Sequence, residues 1–180
     1  MAAQRQIALL RGVNLGSVRK ISMGELRERL TERGYGDPRT LVNSGNVVLT
    51  SGSKPRRLER ELEEVLAADL GVETRVLVRT RDELAEVVSR NPLSEEAERG
   101  KGLHVSFLSE APTKDAVRAL EQADVAPERI AVRGREIYLW LPGGMQRSKA
   151  VRLVSDDRLG VASTRRTWNV VTMLLAIADE

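Results

Sequence analysis

Apolar residues follow two different periods along the chain, and each switch between them predicts a change of element. Residues 6–11 hold a short continuous apolar run, which predicts a buried central strand, and a glycine-punctuated loop follows over 12–22. Met23, Leu26 and Leu30 then recur at helical spacing among Glu25, Arg27, Glu28 and Arg29, and Gly34 closes that helix as a left-handed cap. Residues 39–43 and 46–50 are β-rich and separated by Ser44 and Gly45, a hairpin signature. A second helix carries Leu58, Leu62, Val65, Leu66 and Leu70 on one stripe, with Arg57, Glu59, Arg60, Glu61 and Glu63 opposite; Gly71 ends it, and 73–79 alternates as a strand.

The same order of elements then recurs. Residues 81–90 read as a connecting helix with Leu84, Val87 and Val88 inward, broken by Asn91-Pro92. Residues 103–108 form a strand, Pro112 and Thr113 open a helix bearing Val117 and Leu120, and 129–133 pairs with 136–141 about Gly134-Arg135, a pair that suits a type II′ turn. Ser148 caps a helix with Val151 and Val154 that ends near Gly160, and 161–163 is the last short strand. A final helix presents Val170, Val171, Leu174, Leu175 and Ala178. The predicted fold class is α+β: two ferredoxin-like β-α-β-β-α-β subdomains packed together, with an added C-terminal helix. The boundaries fall at 1–80, 81–102 (connecting helix and loop) and 103–180.

Composition removes several kinds of chemistry. The 180 residues include no Cys and a single His, His104, so disulfides, thiol nucleophiles, Cys-ligated zinc and His pairs are excluded. The net charge of +3 is carried by 24 Arg and 5 Lys, a skew that reads as genome composition rather than as an electrostatic purpose. Ile7 to Leu10 is too short an apolar run for a signal segment or a membrane span, so the expectation is a cytoplasmic protein without membrane contact. No cofactor or metal is implied.

Topology points to one place. In a β-α-β-β-α-β unit with strand order 4-1-3-2, strands one and two run the same way, so the loop 12–22 and the turn 43–46 leave the sheet at one edge. Arg11, Asn14, Lys20, Asn43, Ser44 and Asn46 are therefore grouped as a ligand-binding set: two cations, amide donors and approachable glycine backbone suit a phosphate or carboxylate. The plainer reading is that Asn and Gly serve positive φ there and the cations are solvated. Arg165 and Arg166 stand just ahead of, or in the first turn of, the last helix, where the macrodipole disfavours cations. They are read either as paired with Asp156, Asp157 or a terminal carboxylate, or as recruiting an external anion or a nucleic-acid phosphate. Trp168 is expected as a core or interface anchor, His104 as a satisfied or exposed imidazole, and Lys54, Arg56 and Arg57 as a helix-start surface. Asp156-Asp157 do not share a helix face, and Gly12-x-x-x-Gly16 lacks the Gly-Lys-Ser/Thr of a phosphate-binding loop.

Several segments read in order carry a resemblance: Arg11-Gly12-Val13-Asn14-Leu15-Gly16, Lys20-Ile21-Ser22-Met23 leading into Glu25-Leu26, Asn43-Ser44-Gly45-Asn46-Val47-Val48, Asn91-Pro92, and Thr164-Arg165-Arg166-Thr167-Trp168-Asn169-Val170-Val171. Together they resemble the bacterial family catalogued as domain of unknown function 1697. The resemblance implies a fold and no activity. Three positions depart from the family pattern: Asn43 replaces Gln, Ser17 replaces a second Gly, and Thr167 replaces Asn before the Trp.

Three functions stay open. One is binding of an anionic ligand, either a phosphate-containing molecule or a nucleic-acid backbone, at the first loop and hairpin. The second is a homo- or hetero-oligomeric interaction module using open sheet edges. The third is an enzyme for a small anionic substrate, restricted to electrostatic stabilisation or a substrate-supplied base because the sequence has no Cys and no His pair. Strands one and three of the first half carry no aromatic residue, which disfavours base-stacking recognition of RNA.

Overall fold

The computed structural model describes residues 2–16 and 19–180. The first half runs β1 (Gln4–Leu10), α1 (Met23–Glu32), β2 (Gly36–Leu41), β3 (Asn46–Ser51), α2 (Pro55–Leu70), β4 (Val76–Thr80) and α3 (Arg81–Ser89). The rest runs α4 (Ser94–Glu98), β5 (Leu103–Leu108), α5 (Lys114–Glu121), β6 (Arg129–Arg133), β7 (Glu136–Trp140), α6 (Lys149–Leu153), α7 (Asp156–Leu159), β8 (Ser163–Thr167) and α8 (Trp168–Asp179). Two compact units result: residues up to Glu86 together with Thr172–Glu180, and Val87–Val171.

In the first unit the strand order is β2-β3-β1-β4, which is the expected 4-1-3-2, with every neighbouring pair antiparallel. Strand alternation sends Ala8, Leu10, Val47, Leu49, Val76 and Val78 to one face, where they pack with Leu26 and Leu30 of α1 and Leu58, Leu62, Val65 and Leu66 of α2. Helix α1 ends as its sequence requires: Gly34 is at φ 84°, its N–H donates to the Thr31 carbonyl at 2.9 Å and Tyr35 N–H to the Leu30 carbonyl at 3.1 Å, closing a Schellman turn. The β2 edge carries Pro38 and a register shift between Gly36 and Arg39, features that blunt strand addition.

The second unit repeats the order as β6-β7-β5-β8. Its helix-facing core joins Leu108, Ile137 and Leu139 to Leu120, Ala150, Val154 and Leu159. The repetition extends to single bonds. Ile7 pairs with Val48 and Arg79, as Val105 pairs with Tyr138 and Arg166. Leu10 N–H donates to Gly45 O and Leu108 N–H to Arg135 O, both at 2.8 Å; Arg11 N–H reaches Arg75 O at 2.9 Å and Ser109 N–H reaches Ala162 O at 2.8 Å. The Thr80 hydroxyl accepts from Glu83 N at 3.1 Å and the Thr167 hydroxyl from Val170 N at 3.4 Å, so each caps the helix that follows its strand. Helices α3 and α8 are thus counterparts, and the repeating unit is β-α-β-β-α-β-α. What read as a connector and as an appended helix is one element occurring twice.

Four local readings differ from the structure. The short α4 was not foreseen. The helix after Ser148 is two helices, because Ser155 is extended (φ −91°, ψ 152°) between α6 and α7. The last strand is β8, not 161–163, which moves Arg165 and Arg166 into a sheet. The final helix does not belong wholly to the second half: its Thr172–Glu180 part belongs to the first unit, where Asp179 bonds Arg81 Nε at 2.6 Å and Glu180 pairs with Arg39. Among the described residues no helix is long and apolar enough to cross a membrane.

Candidate functional site

After β1, Asn14 ties the described residues on both sides of the loop. Asn14 is left-handed (φ 55°), and its Nδ2 donates to Ile21 O at 2.9 Å and to Asn43 O at 2.7 Å, while its Oδ1 accepts from Ile21 N at 2.8 Å. One side chain therefore closes the loop on itself and fastens it to the β2–β3 turn. Gly45, at φ 76°, completes the join from below: a Cβ there would lie 2.5 Å from Val13 Cγ2 and 2.7 Å from Leu10 Cβ, so the turn seats only on glycine. Ser22 ends the loop by accepting from Glu25 N at 3.3 Å, capping α1. Ser17, one of the departures from the family pattern, lies outside the described residues.

The expected convergence of loop and turn is present, and it sorts the grouped residues by role. Arg11, Lys20 and Asn43 are exposed at the rim, and Ser44 is half-buried. Asn46 is fully buried, and its Nδ2 donates to Leu41 O at 2.9 Å and Ser44 Oγ at 3.0 Å; it shapes the turn from inside and does not face solvent. The rim also stores strain. Val42, a β-branched residue, sits at φ 48°, and Arg19 at φ 51°. Val42 and Leu15 are 52% and 67% exposed beside the polar residues.

Beside this rim lies a cleft of about 560 Å³ between the loop, α2 and the approach to β4. Arg11, Arg19, Arg60 and Arg75 line it together with Glu63, Glu64 and Glu73. Glu63 is already engaged, accepting from Val76 N at 2.9 Å and lying 3.6 Å from Arg75 Nη1. The Arg19 guanidinium lies over Gly12, where a Cβ would come within 3.3 Å of its Nη1. Arg19, Arg60 and Arg75 were not foreseen, since α2 and the segment before β4 meet the loop only in the folded unit; the exposed, Arg-bearing face of α2 was the one available signal.

Arg165 and Arg166 are strand residues, which corrects the helix-dipole argument. Alternation along β8 places them on opposite faces. Arg166 is buried on one face, donating to Thr164 Oγ1 and Arg165 O at 2.8 Å each, and loss of hydration pushes its guanidinium down to about 10. Arg165 is half-buried on the helix-facing side, with Nε donating to Ser106 Oγ at 3.0 Å. Asp156 accepts from Ser163 N at 3.1 Å and Ser163 Oγ at 2.7 Å, which fixes α7 to the start of β8. His104 Nδ1 bonds Gly102 O at 3.0 Å, and burial holds its protonation below the ordinary histidine range. Trp168 is half-buried at the start of α8. At the other end of the first sheet, Glu61 accepts from Arg57 Nε at 2.7 Å and from Ser53 Oγ at 2.9 Å; its desolvation is outweighed by these bonds, and its carboxyl stays below its ordinary range. Among the described residues no group of His, Cys, Asp and Glu is placed to hold a metal ion.

The chain belongs to the family described as "Protein of unknown function (DUF1697)", whose sequence model matches residues 3–138. That span includes the rim and excludes the closing segment around Trp168. No curated protein matches the chain. Among solved structures, the conserved bacterial protein SP0830 from Streptococcus pneumoniae superposes with a TM-score of 0.79 at 21% identity, covering 98% of this chain and 99% of its own. At that identity the likeness establishes the fold.

Proposed function

We propose that the first unit binds a small phosphate-bearing molecule in the cleft beside the rim. The observation that carries this reading is a comparison within the chain. Both units have the same strand order, yet the second passes from β5 to α5 through residues 109–113, whereas the first passes from β1 to α1 through residues 11–22. The fold does not need the added length, and the added residues include Arg19 and Lys20, tied in place by Asn14. Long loops fastened by their own side chains are where folds carry function.

The cleft's charge pattern selects the ligand class. Arg11, Arg19 and Arg60 supply cationic donors for phosphate oxygens, and Glu64 and Glu73 supply acceptors for hydroxyl or amino groups on the same molecule. A continuous nucleic-acid backbone would have to pass those carboxylates, so the small molecule is favoured over the nucleic acid. Recognition of bases on the sheet face has no support either: β1 and β3 lack aromatics, and Ile7, Leu9 and Val48 on that face are buried. Asn14, Asn46 and Gly45 position the rim; Arg11, Arg19, Arg60 and Arg75 line the cleft and make the contacts, with Lys20 and Asn43 exposed on the rim beside it.

The test is a thermal-shift titration with inorganic phosphate and a nucleoside monophosphate, on the parent and on an Arg19→Ala/Arg60→Ala variant. Both side chains are exposed, so the variant folds as the parent does. Stabilisation of the parent that the variant loses is the expected result. Equal responses from the two proteins place the site elsewhere.

A further inference from the structure

The second unit carries a cation that its own strand pairing leaves without a counter-charge. On the helix-facing side of its sheet, Ser106 of β5 pairs with Arg165 of β8, and His104 pairs with Thr167 one step along. Arg165 uses Nε on the Ser106 hydroxyl, and its Nη1 lies 3.9 Å from the Met145 thioether, a weak acceptor. Among the described residues no carboxylate pairs with it. Its remaining guanidinium edge is aimed toward the segment between β7 and α6, where Gly143 and Gly144 precede Met145, itself 50% exposed. A half-buried guanidinium without an anion is costly, and the cost falls when an oxyanion arrives.

We propose that Arg165, braced by Ser106 and flanked by His104, is a second binding site, for a small molecule bearing one carboxylate, entered past Met145. It shares no residue with the cleft of the first unit. The Nη1–Nη2 edge of the guanidinium carries two parallel N–H donors, the geometry a carboxylate takes up, and the thioether contact at Nη1 is a weak one to displace. A single negative charge matches the single cation, whereas a phosphate dianion would leave a net charge in a partly desolvated place. His104 sits diagonally across the strand pair from Arg165. Its Nδ1–H is held by the Gly102 carbonyl, which leaves Nε2 of the neutral ring as an acceptor. Gly102 is itself constrained, since a Cβ at its φ of 102° would meet the Trp140 ring at 2.9 Å. The His104 imidazole is thereby fixed in orientation beside the cation, whose field adds to burial in keeping the ring neutral.

His104 is the only histidine in the protein, and its ring proton signal in NMR reports the site without assignment. The experiment follows its titration midpoint at constant ionic strength in chloride, in acetate and in inorganic phosphate, for the parent, Arg165→Gln and Arg165→Lys. Acetate should raise the parent midpoint by about half a pH unit, the effect of neutralising one charge roughly 7 Å away in a largely aqueous setting. Arg165→Gln should show the raised midpoint already in chloride and no response to acetate. Arg165→Lys keeps the charge but not the parallel donors, so its midpoint should stay low in chloride and respond weakly. An unchanged parent midpoint in acetate, an acetate response that survives Arg165→Gln, or a phosphate response exceeding that of acetate would each overturn the proposal.

Discussion

Replacing Asn14 with Ala removes the one side chain that joins the long loop to the hairpin turn. Three hydrogen bonds go: two donated by Nδ2 and one accepted by Oδ1. Each is partly reachable by water, so each contributes about 0.5–1 kcal/mol net rather than the upper end of its range. Alanine also tolerates the left-handed conformation at position 14 less well than asparagine, at about 1 kcal/mol. The expected destabilisation is about 3 kcal/mol, which for a chain of this length lowers a cooperative melting temperature by about 6–12 °C. Asn14→Gly separates the two causes, since glycine accepts the conformation without restoring the bonds; it should retain about 2 kcal/mol of the loss. Thermal melting measures the global effect, and hydrogen exchange at the Ile21 amide, now bonded to Asn14 Oδ1, measures local release of the loop. An Asn14→Ala protein that melts within about 1 °C of the parent and protects the Ile21 amide equally well would refute the role given to this residue.

Other outcomes follow from neighbouring contacts. Gly45→Ala forces a Cβ to within 2.5 Å of Val13 at a positive φ, and a urea midpoint corresponding to a loss of about 3 kcal/mol is expected. Tyr35 is pushed up to about 12, by burial first and then by the neighbouring Glu61 charge and hydrogen bond. Phenolate absorbance of the native protein should therefore show a late step that Tyr35→Phe removes. The unfolded chain releases that proton near pH 10 and the folded chain near 12, so this contribution to stability is complete below 10 and is lost as pH rises through 12. Glu61 acts at the acid end: its carboxyl lies below its ordinary range, so its contribution holds above that range and disappears as pH falls through the folded value. Glu61→Gln should accordingly flatten the acid limb of a stability-against-pH curve.

Topology was the most legible feature of the sequence, because strand and helix periods alternate cleanly and a β-α-β-β-α-β order admits few arrangements. The meeting of the 12–22 loop with the 43–46 turn followed from it. Burial was less legible. Asn46 looks like a turn residue open to ligands, yet the hairpin closes over it, and only its bonds to Leu41 and Ser44 reveal that its work is internal. Strand β8 was hidden for a related reason: Ser-Thr-Arg-Arg-Thr reads as polar surface, but in an edge strand the aliphatic stem of Arg166 supplies the buried contact that a Val or Ile would otherwise signal. The equivalence of α3 and α8 rests on Arg-Thr preceding each helix, a match of two residues that has meaning only once Arg79 and Arg166 occupy the same register. The walls of the cleft were legible least of all, since Arg60 and Arg75 reach Arg11 through folding alone.

Amide chemical-shift mapping addresses the binding cleft most directly. Titration of the labelled protein with a nucleoside monophosphate should move the amides of residues 12–16, 19–22 and 43–45 along saturating curves and leave those of 109–113, the shorter connection in the second unit, where they are. Shifts scattered over both units, or none around the Asn14 to Asn43 join, would contradict it.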